Sequence, residues 1–502
     1  MKKISYILTL IVILALFISS SNGESVCSWI CYGGNIGHTS EIDNQCIPNE
    51  KLTILHKREF DEKLVCHPVL YDNSVYLVTE GGKLISQDAT TGEIIWEQSE
   101  LSTRVEFAPF VNSDSVYQAS GNDVIKLSRK TGKISHTYKA DSRITAPPQQ
   151  QDDDIFVGLR DGTLVCLDAN NLENKWSFKT DKSIVSIPSV CDGKVFIGST
   201  DKKLYCLNQE NGEKLWSFVC ESMITTPIVI SDDKVYAISG SSLFAFDLDG
   251  TARWKYQTYA DVTSVGIVDN KVVCTTSNFR IQCLDGTFCG GTCCIKPAKE
   301  LWYALVGKGK MSVLNISDKR ILVCCESDEI VSIDIETGKT EWSEDLGYDL
   351  DKTIICSNRI FVADGNEFIV FAQKPNKLTY TIGSNSYTRD KYNVTMDSKP
   401  EIIHSRTFLP ARYVVEPIGG DIKWDQYLKQ ITIDLDDKEI VLTVGKSVAL
   451  VNGVEQQISD DVSVTPVIVN GRTLVPLRFI AENLGCDVEY ISKTKEVILT
   501  AK

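Results

Sequence analysis

The sequence predicts an all-β fold class: an eight-bladed propeller of four-stranded antiparallel blades, followed by a smaller α+β domain made of two tandem repeats. Three observations lead to this prediction. A short pattern that ends in Trp recurs about every 40 residues, the segments between its copies are rich in strand-forming residues, and a different pattern repeats once near the C terminus. Repeats of this length are typical of propellers, in which each blade is one repeat.

The repeating pattern is clearest at 204–218, which reads LYCLNQENGEKLWSF. An apolar strand is followed by a polar turn at Asn211–Gly212 and by a second strand that carries Trp216, as in a β-hairpin. The spacing between copies is 38 or 40 residues, except for 48 residues where the insert TFCGGTCCIKPAKE interrupts the pattern. The copies end at Trp96, His136, Trp176, Trp216, Trp254, Trp302 and Trp342.

Each repeat contains two further strands upstream of the hairpin. One lies next to a proline, as in SIPSV and TTPIVI, and the other follows a polar turn, as in GKVFIG and DKVYAI. Runs of Val, Ile, Tyr and Phe between clusters of Asp, Asn and Gly indicate strands. Because the inner strands are apolar on both faces, each sheet must be covered on both sides, and radial stacking of blades achieves this.

The strand pieces occur eight times, the last time at 353–371. This last copy lacks the Trp-type strand, and the segment KLTILHKREF at 51–60 is expected to supply it from the other end of the chain. Pairing the two chain ends within one blade closes the ring and removes its free edges. We therefore assign residues 51–373 to an eight-bladed propeller, with seven blades as the alternative.

The repeated tryptophans have two possible roles. A ring of indoles would stack on a cofactor, or each indole would pack between neighbouring blades and use its N–H in a hydrogen bond. A residue that recurs in nearly every blade suits a role that every blade shares, and His136 in one copy is interpreted as structural too. We therefore favour a structural role for Trp96, Trp176, Trp216, Trp254, Trp302 and Trp342.

The N terminus predicts export. Lys2 and Lys3 precede an apolar run at 4–18 and a small polar stretch that ends at Gly23, which is the order of a secretory signal peptide. We expect a signal peptide at 1–23, a lead-in segment at 24–50, and an extracytoplasmic mature protein without a membrane span; an uncleaved signal anchor is the alternative. The net charge of −15 argues against nucleic acid as a partner, because phosphates require a basic surface.

The chain has 17 cysteines, and export would normally favour disulfides. Several of them, such as Cys166 and Cys206, sit inside apolar strand patterns, where Cys acts as a small hydrophobic residue. Cys283 lies in such a pattern as well, next to the insert CGGTCC. The insert matches no zinc spacing, so no metal is predicted. A disulfide or thiol loop is expected from Cys283, Cys289, Cys293 and Cys294.

A second pattern follows a linker at 374–377. Within 378–502, HSRTFLPARYVV matches NGRTLVPLRFIA at an offset of 66 residues. Arg406 and the matching Arg472 would bind an anionic wall polymer or pair with local carboxylates and carbonyls. Local pairing is favoured because the guanidinium fork suits a fixed geometry. The motif residues are Arg406, Pro410 and Arg412 in the first copy and Arg472, Pro476 and Arg478 in the second.

The propeller patterns resemble the repeats of the pyrroloquinoline-quinone-like (PQQ-like) propeller family. The lead-in SWICYGGNIGHT, at 28–39, resembles the segment that often precedes the first blade there. The resemblance implies either a non-enzymatic propeller, similar to the outer-membrane assembly lipoprotein, or an alcohol dehydrogenase that uses the quinone and calcium. The dehydrogenases carry an adjacent Cys pair, which Cys293–Cys294 and Cys324–Cys325 resemble. However, the repeats here lack the long insertions of those enzymes, and neither a general-base Asp nor calcium ligands can be aligned. No catalytic, cofactor-binding or metal-binding residue is therefore predicted.

The C-terminal pattern resembles the copper amine oxidase N-terminal-like domain in two tandem copies. That domain has no copper-ligand set, and His404 is the only histidine after residue 378. Such modules occur as appendages on exported bacterial proteins, which implies association with the cell envelope. The expected function is that of an exported, non-enzymatic scaffold whose rim loops bind a protein or an envelope polymer. A PQQ-dependent dehydrogenase and a structural surface-layer component are the alternatives.

Overall fold

The computed structural model describes residues 52–501 apart from 100, 102–104, 232, 288–295, 307–310, 318, 326–327 and 357. The predicted signal peptide at 1–23 and lead-in at 24–50 lie outside the described residues, as do Cys289, Cys293 and Cys294. Strands dominate the described chain, and the prediction of four-stranded antiparallel sheets followed by a smaller domain is confirmed. Within the described ranges, no helix is long and apolar enough to span a bilayer.

Seven successive sheets share one topology, a meander of four antiparallel strands in chain order. We number these sheets as blades. Blade 1 contains Val69–Tyr71, Ser74–Val78, Leu84–Asp88 and Ile94–Gln98; blade 2 contains Phe110–Val111, Ser115–Ser120, Asp123–Ser128 and Ile134–Lys139; blade 3 contains Gln149–Gln151, Asp154–Gly158, Thr163–Asp168 and Asn174–Lys179; blade 4 contains Ser189–Cys191, Lys194–Gly198, Lys203–Asn208 and Lys214–Val219. Blade 5 contains Val229–Ser231, Lys234–Ser239, Ser242–Asp247 and Ala252–Gln257; blade 6 contains Val262–Val268, Lys271–Thr276, Arg280–Asp285 and Glu300–Leu305; blade 7 contains Met311–Ile316, Arg320–Cys325, Glu329–Asp334 and Thr340–Asp345. The short strand Lys296–Pro297 pairs in parallel with the outer strand of blade 5.

An eighth sheet joins the two ends of the ring. After the 3-10 turn Leu350–Lys352, its own strands are Thr353–Cys356, Arg359–Asp364 and Glu367–Gln373. The fourth strand, Leu52–Glu59, comes from the N-terminal side and pairs antiparallel with Glu367–Gln373. Leu52 lies opposite Gln373, and a bulge interrupts the register between Ile54 and His56. This sheet, blade 8, is completed in the way that the segment at 51–60 predicts.

The core lies between the sheets. In the second strand of blade 4, Val195, Phe196 and Ile197 are all fully buried, although alternate side chains of a strand point to opposite faces. Phe196 packs in one cluster with Phe246 of blade 5. Each sheet is therefore covered on both faces by its neighbours, and the burial of this apolar surface is what holds the blades together.

The C-terminal module, residues 377–501, consists of three sheets and two short helices. The helices are Arg412–Val415, which continues into the 3-10 turn Glu416–Ile418, and Leu477–Asn483. The first outer sheet has the order Tyr392–Thr395, Ser386–Arg389, Lys377–Thr381, Glu496–Ala501 and Cys486–Ile491; the central sheet has Glu401–Ile403, Arg406–Pro410, Arg472–Pro476 and Val467–Val469; the second outer sheet has Asp421–Asp425, Gln430–Leu435, Lys438–Thr443, Val448–Val451 and Val454–Gln457.

The two repeats of the module are intertwined around a pseudo-twofold axis. At the centre, Phe408 lies opposite Pro476 and Pro410 lies opposite Leu474, so equivalent residues of the two copies exchange places across the sheet. Each outer sheet combines strands from both copies. The two sequence repeats therefore build one folding unit.

The module contacts the propeller where the two chain ends meet in blade 8. Arg389 is only 1% exposed, and its guanidinium donates to the carbonyls of Ile54 at 2.9 Å and Gln373 at 3.0 Å. It also donates to the Thr53 hydroxyl and to the Ala372 carbonyl. Burial lowers the pKa of Arg389 to about 10. One side chain of the module thus holds both strands that close the ring.

Candidate functional site

The blade tryptophans lie on the fourth strands and face the following blade. In four seams the indole N–H donates to a backbone carbonyl in the turn between the third and fourth strands of the next blade. These bonds join Trp96 to Arg129 at 2.8 Å, Trp176 to Gln209 at 2.9 Å, Trp216 to Leu248 at 3.0 Å and Trp302 to Ile335 at 2.9 Å. The buried N–H groups of Trp254 and Trp342 find no acceptor among the described residues. The indoles make contacts between blades, not around a central ligand.

The turn glycine and the indole form one seam contact. Gly212, in the turn predicted at Asn211–Gly212, has a φ of +74°, and a Cβ on it would lie 2.4 Å from Trp176. Gly250 has a φ of +88°, and a Cβ there would lie 2.6 Å from Trp216. Glycine alone combines this backbone conformation with such a close approach. The Gly of one blade is therefore required by the Trp of the preceding blade.

His56 takes the place of the indole at the seam between blades 8 and 1. Its Nε2–H donates to the Ala89 carbonyl at 3.3 Å, and a Cβ on Gly92 would lie 2.8 Å from its ring. Ala89 and Gly92 occupy the same turn positions in blade 1 as Gln209 and Gly212 in blade 4. Burial lowers the pKa of His56 to about 4, despite the hydrogen bond to Ala89, so the ring is neutral at pH 7. Sequence reasoning missed this role, although His56 lies on the very segment assigned to complete the last blade.

His136 occupies the Trp position of blade 2 but is exposed. At that seam the hydroxyl of Tyr117 donates to the Ala169 carbonyl at 2.9 Å, which is the acceptor position that indoles use elsewhere. A different strand of blade 2 thus supplies the donor. The seam bond is retained while the side chain that makes it changes.

The connections between successive blades surround an axial channel of about 400 Å³. Its lining is mostly apolar or hydroxyl-bearing, with residues such as Pro147, Thr225 and Pro227. The ionisable residues in the lining are Cys66, His67, Glu106, Asp351 and Lys352.

These channel residues do not fit a centre that holds calcium and a quinone. Glu106 is ion-paired with Arg143, which leaves Asp351 as the other carboxylate in the described lining, whereas Ca²⁺ takes roughly six to eight oxygen ligands. Burial raises the pKa of the Cys66 thiol to about 12 and lowers the pKa of His67. Across the described part of the chain, no group of three or more His, Cys, Asp or Glu side chains is arranged to hold a metal ion.

The structure describes eleven of the cysteines, and all but the half-buried Cys191 are buried. Cys283 lies opposite Trp302 on the third strand of blade 6, and burial raises its pKa to about 12. Cys324 and Cys325 are also fully buried, and burial raises the pKa of Cys325 to about 11. The burial of Cys283 agrees with its position in an apolar strand pattern. The other three cysteines of the expected loop lie outside the described residues, so that loop remains a prediction.

One rim of the propeller, the one that carries the channel mouth, exposes apolar side chains over blades 4 to 6. We call this set the apolar rim sector. Scattered exposed apolar residues are ordinary, but a group on neighbouring loops and strand ends indicates a contact surface. The exposed fractions are 92% for Tyr259, 74% for Leu305, 69% for Val219, 50% for Met223 and 39% for Phe279.

Blade 3 shows what the same rim positions hold elsewhere in the ring. Lys179 is the counterpart of Val219, and it forms an ion pair with Asp161 at 2.6 Å. Gly162 is the counterpart of Phe279. Phe279 has a φ of +66°, a conformation that is strained for a bulky residue, and such strain is concentrated at functional sites. The repeat itself therefore does not require the apolar residues of blades 4 to 6.

The two motif arginines at equivalent positions of the C-terminal module behave differently. Arg472 donates to Asp397 Oδ2 through Nε at 2.8 Å and Nη2 at 2.7 Å, which is the local pairing that the sequence favoured. Arg406 donates to the carbonyl of the adjacent Ser405 at 3.4 Å and makes no ion pair with a described carboxylate, although its charge contributes to lowering the pKa of nearby Asp461, after the hydrogen bonds from Ser463. The favoured pairing thus holds for one arginine of the two.

The remaining motif residues serve the fold of the module. Pro410 and Pro476 are buried in the central sheet. Arg412 is exposed, and Arg478 lies 3.6 Å from Glu482 one helical turn away. An exposed pair of this kind contributes little to stability.

Comparisons with known proteins divide the chain in the same way. Residues 53–147 and 141–285 match the family model described as outer membrane protein assembly factor BamB, and residues 359–426 and 388–499 match the copper amine oxidase N-terminal domain. Sequence comparison with curated proteins gives no significant match.

Several solved structures are similar to the chain over about two thirds of its length. BamB from Moraxella catarrhalis is 17% identical with a TM-score of 0.51, and the match covers 65% of this chain and 98% of that one. Quinohemoprotein alcohol dehydrogenase from Comamonas testosteroni is 11% identical with a TM-score of 0.55, covering 70% and 81%. The computationally designed Ika8 protein is 18% identical with a TM-score of 0.56, covering 64% and 99%. At these identities the likeness shows the fold.

Proposed function

Because the chain combines a PQQ-like propeller with a copper amine oxidase N-terminal-like domain, we propose that it is an exported, non-enzymatic binding scaffold of the cell envelope. The propeller binds a protein partner, and the C-terminal module associates with the envelope. The likeness to BamB supports the choice of a protein partner, since that relative is described as an assembly factor.

The apolar rim sector is the observation that carries this proposal. Tyr259 exposes 92% of its surface and Leu305 exposes 74%, on a rim where blade 3 presents charged residues. Removing such apolar area from water on binding gains about 25 cal/mol per Å². Tyrosine is among the residue types that most often carry the binding energy in interfaces between proteins, and the apolar residues around it exclude water.

A capture experiment tests the proposal. The immobilised full-length chain is exposed to detergent-solubilised envelope proteins of the producing organism, and captured proteins are identified by mass spectrometry. We expect a specific partner that is lost on Tyr259→Ser combined with Leu305→Ser. Lys179→Ser, on the same rim in blade 3, is the matched control and should leave capture unchanged. Equal capture by both variants would refute the apolar rim sector as the binding surface.

A quinone-dependent dehydrogenase is the second candidate, favoured by the similarity to the Comamonas testosteroni enzyme. The channel is its natural site, but the lining residues do not fit calcium and the quinone, as described above. Incubation with the quinone and calcium, followed by a dye-linked alcohol oxidation assay, should give no turnover. Turnover that disappears with Asp351→Asn would establish the enzymatic alternative instead.

A further inference from the structure

In each copy of the C-terminal repeat, a hairpin precedes the arginine motif. The residue that follows this hairpin has different partners in the two copies. In the first copy, Asp397 accepts two hydrogen bonds from Arg472, and the hydroxyl of Tyr413 donates to Asp397 Oδ1 at 2.8 Å. Tyr413 also accepts from the Asp397 backbone N–H at 2.8 Å. Although burial opposes it, the bonds from Tyr413 and Arg472 hold the pKa of Asp397 below its ordinary value. We call this arrangement the closed site.

The pseudo-twofold axis relates each residue of the closed site to a residue in the other half of the module. Those equivalent residues do not make the hydrogen bonds of the closed site. Arg472 corresponds to Arg406 and Tyr413 to Phe479, both at the offset of 66 residues. Asp397 corresponds to Ser459, because Met396 donates to Asn385 and Ile458 donates to Ser447 in equivalent backbone hydrogen bonds. The second copy thus has Ser in place of the carboxylate and Phe in place of the hydroxyl.

The result is an open cleft. Arg406, Ser459 and Phe479 all line a cavity of about 800 Å³, which lies within the range of about 300–1,000 Å³ that small-molecule sites occupy. Its apolar side includes Val464, Leu477 and Val497, which are buried. The polar and aromatic groups of its wall include Gln456, Gln457, Asp460, Arg478, Glu482 and Tyr490.

We propose that this cleft binds a uronate-bearing polysaccharide, with the Arg406 guanidinium pairing with a sugar carboxylate. The inference rests on the proposed envelope association and names the ligand class of the C-terminal module. In the closed site, a carboxylate of the chain itself satisfies the equivalent arginine. In the open cleft, a carboxylate from outside the chain fills the corresponding position and forms the forked hydrogen bonds that suit a guanidinium.

The other groups of the cleft favour a sugar chain over an acidic peptide. Tyr490 is 47% exposed at the cleft and offers an aromatic face to the apolar face of a sugar ring. The carboxylates of Asp460 and Glu482 accept hydrogen bonds from sugar hydroxyls, whereas the side chains of an acidic peptide have no donor to offer them. The amides of Gln456 and Gln457 both donate and accept, as hydroxyl recognition requires.

Titration calorimetry on the full-length chain tests the proposal. The probes are trigalacturonate, trimannuronate, the same trisaccharides with their carboxyl groups reduced to alcohols, and the peptide triglutamate. We expect at least one uronate trimer to bind with about tenfold or greater preference over its reduced form, since charge-assisted hydrogen bonds are worth about a factor of ten or more. No binding of either uronate trimer, or tighter binding of triglutamate, would overturn the proposal.

Two variants locate the site. Ser459→Asp combined with Phe479→Tyr rebuilds the closed site and should reduce trimer affinity about 10- to 100-fold while the melting temperature stays the same or rises. Arg406→Gln should reduce affinity to a similar extent without unfolding the module, because Arg406 makes one long hydrogen bond. Unchanged affinity in both variants refutes the cleft.

Sedimentation with isolated cell envelopes separates this inference from the proposed function. Wild-type chain that binds trimers but does not sediment refutes envelope association and supports the site. A Ser459→Asp, Phe479→Tyr chain that loses trimer binding but sediments as wild type refutes the cleft as the envelope contact, while the proposed association stands.

Discussion

The seam between blades 8 and 1, which we call the closing seam, differs from the other seams in the side chains that make it, and it borders the sheet in which the two ends of the propeller chain pair. In an ordinary seam, such as that between blades 4 and 5, Trp216 donates to Leu248 and packs against Gly250. At the closing seam, His56 makes the corresponding contacts with blade 1. Arg359 of blade 8 adds hydrogen bonds to Ala89 at 3.1 Å and to the Thr90 hydroxyl at 3.0 Å.

Blade 8, on one side of the closing seam, is also in contact with the C-terminal module. Arg389 binds carbonyls of both terminal strands, and the Thr53 hydroxyl donates to the Pro417 carbonyl of the module at 3.1 Å. In the other blades the chain connects the third strand to the fourth, whereas in blade 8 only non-covalent contacts join Glu367–Gln373 to Leu52–Glu59. The difference teaches that one seam geometry is preserved throughout, while blade 8 adds buried polar contacts where the covalent link between its third and fourth strands is missing.

Among the variants that test this comparison, loss of the Arg389 contact should cause the largest loss in the free energy of unfolding. Arg389→Met leaves several backbone oxygens of Thr53, Ile54, Ala372 and Gln373 without their donor. At about 1 kcal/mol for each orphaned acceptor, we expect a loss of about 4 kcal/mol in the free energy of unfolding. Urea unfolding measures this loss, and the exposed Arg412→Met is the matched control, with an expected change near zero. If both variants unfold at the wild-type midpoint, the pairing of the two terminal strands in blade 8 does not depend on the module.

The closing seam should also depend on pH, unlike the indole seams. His56 has a folded pKa of about 4, below its unfolded value near 6.5, so the unfolded state binds more protons between these pH values. The stability contributed by the neutral ring is complete above pH 6.5 and falls by roughly 3 kcal/mol as the pH drops to 4. Urea unfolding across this range should therefore show a flatter pH dependence for His56→Phe than for wild type. The buried His67 is present in both proteins and contributes equally to both curves. Parallel curves for wild type and His56→Phe would therefore contradict the prediction.

The contacts that repeat could be predicted from the sequence, and those that occur once could not. The spacing of Trp216 and its equivalents, with the turn at Asn211–Gly212, is sufficient to predict blades and hairpins. The role of His56 depends on which strand it joins across the ring, and that of Arg389 on contacts with residues more than 300 positions earlier, such as Thr53.

The open cleft was hidden from the sequence for a different reason. The motif arginines align at an offset of 66 residues, but Asp397 and Ser459 align at 62, because the second copy has four more residues before its next strand, which begins at Val467 and corresponds to Glu401. A constant offset pairs Asp397 with Ser463 instead. The missing carboxylate became apparent only once the hydrogen-bond register of each hairpin was known.

A glycine in an ordinary seam gives the next largest expected effect. Gly250→Ala introduces a Cβ at a φ of +88° and 2.6 Å from Trp216, so both backbone strain and a clash result. Gly193→Ala is the matched control, with a φ of +66° and no atom within 4 Å of the new Cβ. We expect about 1 kcal/mol of destabilisation in the control and about 2 kcal/mol or more in Gly250→Ala. Equal losses in thermal unfolding would show that the indole yields to the methyl group at no cost.

The smallest expected effect isolates the hydrogen bond of the seam. Trp216→Phe and Trp254→Phe remove similar ring area between blades, but only Trp216 donates its N–H to a described acceptor, the Leu248 carbonyl at 3.0 Å. Removing that donor leaves a carbonyl unpaired, so Trp216→Phe should lose about 1 kcal/mol more than Trp254→Phe in urea unfolding. Phenylalanine at position 254 should be tolerated better because it removes a buried N–H that has no acceptor among the described residues. Equal losses would mean that indole packing alone stabilises the ordinary seam. The hydrogen bond of the indole, which has a counterpart at His56, would then add nothing to the stability of the seam.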